Sequence, residues 1–211
     1  QQPFGIPREE SLVLALDIGP ITLDPAIAQE SQSIQYIRQI FDGLVTLDDE
    51  LNVVPDLATW EVSEDGLTYT FTIDSAARFH DGSSVEASDV VFSWERAADP
   101  ELESPTVRTY LGDIVGVADV LAGTADSISG LEVVDQSTLK VTIDSPKSYF
   151  LSKLTHTVAS VVERDNVETG RGSWWLEPVG TGPFEVGEWI PDVAMHLQRH
   201  AGYHGEPAGV P

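Results

Sequence analysis

No cysteine occurs among the 211 residues, which excludes a disulfide framework, thiolate chemistry and any cysteine-ligated metal. Lysine is nearly as scarce, with Lys140, Lys147 and Lys153 alone, and 11 basic residues stand against 35 acidic ones for a formal net charge of −24. Such a surface repels phosphate backbones and anionic headgroups, so nucleic acid is not an expected partner. Acid-rich, lysine-poor surfaces also suit very salty surroundings, where screening removes the cost of self-repulsion. An ordinary acidic secreted protein fits the composition equally well. No apolar run approaches the roughly 20 residues of a membrane-spanning helix. The start, Gln1-Gln2-Pro3-Phe4-Gly5-Ile6-Pro7, has neither the basic nor the apolar region of a secretory leader, so the expectation is that any leader has been removed. No fixed-period repeat and no low-complexity tract is present.

What is present is a globular composition, 41% hydrophobic and 22% charged, in a chain long enough to bury a core. Its most informative stretch runs from Pro55 to Arg96. Leu67, Tyr69, Phe71 and Ile73 alternate with Thr68, Thr70 and Thr72, the period of a strand with one buried face. Trp60 and Val62 alternate in the same way, and Glu64-Asp65-Gly66 supplies a turn, so Trp60 to Ile73 is expected to be an antiparallel hairpin. His80-Asp81-Gly82 forms a second turn. Val90, Val91, Trp94 and Ala97 then fall at helical spacing until Asp99-Pro100 stops them.

The rest of the chain is legible more coarsely. Leu12 to Leu16 suggests a strand that is apolar on both faces. After a loop from Asp24-Pro25, the residues Ile34, Ile37, Phe41 and Leu44 form one helical stripe, with Ser31 or Ser33 as N-cap and Gly43 as stop. Val45 to Leu47 and Leu51 to Val53 predict a short hairpin, Leu131 to Asp135 and Leu139 to Ile143 another, and Phe184 to Trp189 with Ala194 to Gln198 a third. Asp113 to Leu121 and the surroundings of Phe150 predict helices, and Val158 to Val162 a strand. Arg164 to Glu177 reads as a surface loop whose Trp174 and Trp175 must pack on something. The Gly- and Pro-rich end from Gly202 is expected to be poorly ordered.

These residues resemble a known family. The order P-x-LA-x-W-E-V-S-x-DG-L-x-Y-x-F-x-I, then F-H-DG, then A-x-DV-V-F-S-x-ER is similar to the signature region of the solute-binding proteins of peptide and nickel ABC transporters (extracellular solute-binding protein family 5). Leu23-Asp24-Pro25, Ile40 to Leu44, Ser104-Pro105, Gly180 to Phe184, Trp189, Arg199 and Tyr203 extend the match across nearly the whole chain. The resemblance implies an α+β fold: a mixed β-sheet lobe with a hairpin-based subdomain, the first lobe of a two-lobed, class II periplasmic-binding-protein-like architecture. It also implies a longer protein, of which this chain would be the N-terminal lobe. On that basis residues 1–10 form a disordered start, 11–54 and 155–203 the main part of the lobe, 55–154 the subdomain, and 204–211 a tail toward the second lobe. The implied function is extracytoplasmic capture of a solute, a peptide first of all, and its delivery to an ABC transporter permease by an exported, monomeric protein. Nickel complexes and oligosaccharides are also carried by this family, whose members are often anchored through an N-terminal cysteine that is not seen here. The fragment alone, with half of the cleft missing, is expected to bind peptide weakly or not at all.

For site residues the loop before the first helix is the leading candidate. Gln29, Glu30, Ser31 and Gln32 lie where free backbone N–H and C=O groups can read an extended peptide main chain without reading its side chains. The resemblance adds Thr106 and His156, at positions near the ligand in oligopeptide binders. His196, His200 and His204 are spaced four apart, a chelating pattern on a helix. Strand-like alternation around His196 and glycines at 202 and 205 instead predict exposed, diverging histidines at a strand end, so no metal site and no cofactor is expected. His80-Asp81 lacks a nucleophile elbow beside it, Gly180-Thr181-Gly182 lacks the lysine of a phosphate loop, and pairs such as Asp48-Asp49 are solvated surface. Trp60, Tyr69, Phe71 and Trp94 are read as core. Two other classes stay open: a hydrolase, recognisable by a pocketed carboxylate of raised pKa and by turnover, and a protein-interaction domain, recognisable by a large exposed apolar patch.

Overall fold

In the computed structural model, which describes residues 19–190 and 193–205, alternation and turn chemistry build the expected hairpin. Strands β3 (Ala58–Val62) and β4 (Thr68–Ile73) pair antiparallel with Trp60 opposite Phe71, and Gly66 turns the chain at φ 70°. Tyr69, Phe71 and Ile73 point into the core while the threonines between them are less buried. The later hairpin of β5 (Leu131–Val133) and β6 (Thr138–Thr142) adds its second strand to β4, giving a four-stranded sheet in the order β3-β4-β6-β5. Two smaller hairpins stand apart: β1 (Val45–Leu47) with β2 (Val53–Pro55), and β7 (Phe184–Ile190) with β8 (Ala194–Arg199). All pairings among the described strands are antiparallel.

Helix α2 (Ala87–Ala98) starts at a reciprocal cap in which the Glu86 N–H donates to the Asp89 carboxylate at 2.8 Å, and it ends at Asp99. Its Trp94 is fully buried and donates its indole N–H to the Ala159 carbonyl at 3.0 Å. Leu57, Phe71, Phe79, Leu139 and Phe150 complete the main core around it. A second core gathers Leu23, Ile37, Ile40, Phe41, Val162 and Trp174, on which Val186 and Leu197 of the last hairpin pack.

Several expectations are corrected. Helix α1 spans Ser31–Ile40, with Glu30 instead of Ser31 or Ser33 at the N-cap position and no capping bond from its side chain, and Phe41 is already extended. Ser33 cannot cap because its hydroxyl accepts from the Ile21 and Thr22 N–H groups, at 3.0 and 3.2 Å. The helix stops before Gly43 because the Ile40 carbonyl accepts from Gly182 N–H at 2.8 Å, and a Cβ on Gly180 would meet that oxygen at 1.9 Å. Residues 158–162 pair with no strand among the described residues: a 3-10 turn (Thr157–Ala159) leads into a run that is extended at Ser160. Its backbone is satisfied by Ser93, Trp94 and the Asp42 carbonyl.

The helix expected from Asp113 is α4 (Val117–Leu121), delayed by Gly116 at φ 94°, and the short α3 (Val107–Tyr110) precedes it. Helix α5 (Phe150–Lys153) is where it was expected. The expected loop from Arg164 is instead α6 (Arg164–Gly170), its first turn capped by the Glu163 carboxylate, followed by a 3-10 turn (Arg171–Leu176). Trp174 there is buried against Phe41. The strand expected near Leu12, the start 1–10 and residues 206–211 lie outside the described residues, while Tyr203 and His204, expected in a loose tail, are half-buried.

Candidate functional site

The loop leading into α1 is fixed from below by a buried ion pair. Asp24, its side chain 3% exposed, takes both guanidinium nitrogens of Arg96, with Nη1 at 3.0 Å from Oδ1, and the same oxygen accepts from Ala26 N–H at 3.0 Å. Arg96 in turn lies 5.2 Å from the ring centroid of Trp174. The Ser104 hydroxyl donates to the Ala26 carbonyl, joining the Ser104-Pro105-Thr106 segment to this loop.

Gln29 and Ser31 are exposed, and Glu30 and Gln32 half-buried. Ser31 and Gln32 therefore belong to the first helical turn and not to a loop, with Glu30 at the cap. The Glu30 carboxylate accepts from the Ser33 hydroxyl; burial raises its pKa, but that bond and those from the Gln29, Glu30 and Ile21 main chain together bring it below the usual range.

Thr106 and His156 are linked through Tyr110, whose N–H donates to the Thr106 carbonyl at 3.2 Å and whose ring stacks on His156 at 3.7 Å. The Val158 N–H donates to His156 Nδ1 at 3.2 Å, which leaves the ring proton on Nε2. Burial, and then the positive charge of Arg38, push this imidazole down to about 4, so it is neutral at physiological pH. A cavity of about 260 Å³ opens here, lined by Arg38, Asp42, Thr46, Asp56, His156 and Thr157. Gln29 to Gln32 are not part of it. They lie at the far end of α1 from Arg38, about 10 Å away at 1.5 Å per residue.

Sequence reasoning missed a cluster beside this cavity. Asp42, Asp56 and His204 each offer a ligand atom within 4.8 Å of the others, and His204 Nε2 lies 3.6 Å from Asp56 Oδ1. Burial first, and then the charge of Asp56, push the Asp42 carboxyl up to about 8. Burial opposes the charged form of His204, but the close contact with Asp56 and the charges of Asp42 and Asp56 raise it overall. The chelating spacing of His196, His200 and His204 was therefore a poor guide. His204 joins carboxylates distant in sequence, His200 packs 4.9 Å from the His80 ring, and none of the three is exposed as expected. His80 does more than occupy a turn: its Nδ1 accepts from Gly180 N–H and its Nε2 donates to the Gly182 carbonyl, each at 3.1 Å. Gly180-Thr181-Gly182 is thus a packing element between His80 and Ile40.

The family description "bacterial extracellular solute-binding proteins, family 5 Middle" matches residues 52–210. The periplasmic murein peptide-binding protein MppA of Escherichia coli is 32% identical over 204 residues, covering 93% of this chain and 37% of its own length. The periplasmic oligopeptide-binding protein OppA of Salmonella typhimurium is 32% identical over 210 residues, covering 95% of this chain and 38% of its own. Among solved structures, Haemophilus influenzae OppA in complex with RPPGFSPFR superposes with a TM-score of 0.84 at 27% identity, covering 89% of this chain and 37% of that one. The chain thus spans a little over a third of the length of these relatives.

Proposed function

The chain belongs to the bacterial extracellular solute-binding proteins, family 5, and from that premise we propose that it is part of an extracytoplasmic receptor that binds a peptide and delivers it to the permease of an ABC transporter. The observation that carries this is the superposition of 89% of the chain on a relative solved with a peptide bound. Nickel complexes and oligosaccharides are not favoured, because the relatives described above are named for peptides. Hydrolysis is not favoured either, since those relatives are solute-binding proteins.

In this proposal the ligand is held between two lobes that close on a hinge, and the protein acts as a monomer. Residues 11–54 and 155–203 form the body of one lobe and 55–154 its subdomain. Gln29, Glu30, Ser31 and Gln32 offer main-chain groups to the peptide backbone in the manner of an added strand. Thr106 and the neutral His156 offer side-chain contacts farther along the same wall. The buried Asp24–Arg96 pair supports this assignment, because it holds the loop rigid and so lowers the entropy lost on binding.

Calorimetric titration of the natural gene product with defined tripeptides to pentapeptides tests the proposal. Saturable binding at about micromolar affinity or tighter is expected, with the 211-residue chain alone binding more weakly. Saturable binding of a non-peptide solute with no heat from any peptide would overturn it.

A further inference from the structure

We infer that Asp42, Asp56 and His204 form a binding site for a single divalent transition-metal ion of the zinc class. The three side chains come from segments far apart in sequence: Asp42 follows α1, Asp56 follows β2, and His204 follows β8. Their ligand atoms nevertheless lie within 4.8 Å of one another. Zinc held at its usual distances to nitrogen and oxygen sets donor separations of about 3.4 Å, so small side-chain rotations close the site.

A second observation points to a ligand. Asp42 is only 7% exposed and its Oδ2 has no hydrogen-bond partner; Nδ1 of His204, a side chain 5% exposed, is likewise buried and unpartnered. A carboxyl oxygen so placed has lost its hydration without compensation. A cation between Asp42, Asp56 and His204 restores it. Imidazole with carboxylates suits zinc, cobalt or nickel, whereas calcium and magnesium prefer an all-oxygen shell. The adjoining cavity, bordered by Asp42 and Asp56, gives water access to a fourth coordination position. The Arg38 side chain lines that same cavity, while Asp74 and Tyr203 lie near the carboxylates and histidine. An ion here would tie the end of the last hairpin to the segment leaving α1, and binding energy of that kind becomes folding stability.

The test is calorimetric titration of the natural gene product with zinc chloride in about 0.5 M NaCl, where screening suppresses diffuse attraction to the acidic surface, repeated on Asp42→Asn, His204→Gln and the control His196→Gln. Cobalt(II) replaces zinc for a visible-absorption readout. The expected result is one saturable site, reversed by a chelator, weakened about tenfold or more in both cluster variants and unchanged in the control, with cobalt bands of low coordination number that vanish in parallel. Zinc should also raise the melting temperature of the wild type and not of His204→Gln. The inference is overturned if the wild type shows no saturable site, if the control alone weakens binding, or if only one cluster variant does, since a three-ligand site needs both.

Discussion

His80 carries its chemistry as a neutral ring. Burial, before any effect of the nearby His200, lowers it to about 4, while the bond to the Gly182 carbonyl and the charge of Asp81 work in the opposite direction. With a folded value of about 4 against about 6.5 unfolded, the unfolded chain takes the proton first. The contribution of His80 is complete above pH 6.5 and is lost as pH falls from there toward 4, by about 3 kcal/mol at 1.4 kcal/mol per unit. Acid also relieves self-repulsion in so negative a chain, an opposing effect that a comparison of variants removes. Urea midpoints at pH 7.5 and pH 4.5 should therefore fall further for the wild type than for His80→Gln, whose side chain does not titrate. Equal falls would show that the ring does not stay neutral between Gly180 and Gly182.

Among the elements, the loop before α1 depends on Asp24 and Arg96. Removing either partner strands a buried charge and should cost about 3–5 kcal/mol, whereas removing both costs less. Asp24→Asn and Arg96→Met are accordingly expected to be non-additive in denaturant unfolding, with the double variant more stable than the sum of the singles predicts, and each single variant should weaken peptide binding about tenfold by loosening the rim. Additive losses would mean that the pair does not act as a unit. The elements that sequence alone made legible are those whose causes are local. Alternation from Leu67 to Ile73 and glycine turns at 66 and 82 specify their hairpin and turn without help. The end of α1 was hidden because Gly180 and Gly182 impose it from across the molecule, and α6 because its polar composition resembles a loop. Gln29 to Gln32 could be nominated from the loop chemistry ahead of a helical stripe, but Ser31 and Gln32 open that helix. The Asp42, Asp56 and His204 cluster could not, since no spacing along the chain brings its members together.

At the scale of the whole molecule the net charge of −24 dominates. Self-repulsion on the compact state is screened by salt, with a Debye length of about 10 Å at 0.1 M and 3 Å at 1 M. A thermal midpoint that rises steeply between these salt concentrations is the result expected of a surface tuned to a salty medium, and indifference to salt that of an ordinary acidic secreted protein. The fold superposes on peptide receptors while spanning a little over a third of their length, so its assignment as one wall of a closing cleft rests on where a ligand makes contact. Hydrogen–deuterium exchange of the natural gene product, with and without a saturating peptide mixture, measures that contact directly. The account predicts slowed amide exchange at Gln29 to Gln32 and around Thr106 and His156, with the outer strand β5 unchanged. Peptide-induced protection that leaves both segments at their free rates would contradict it.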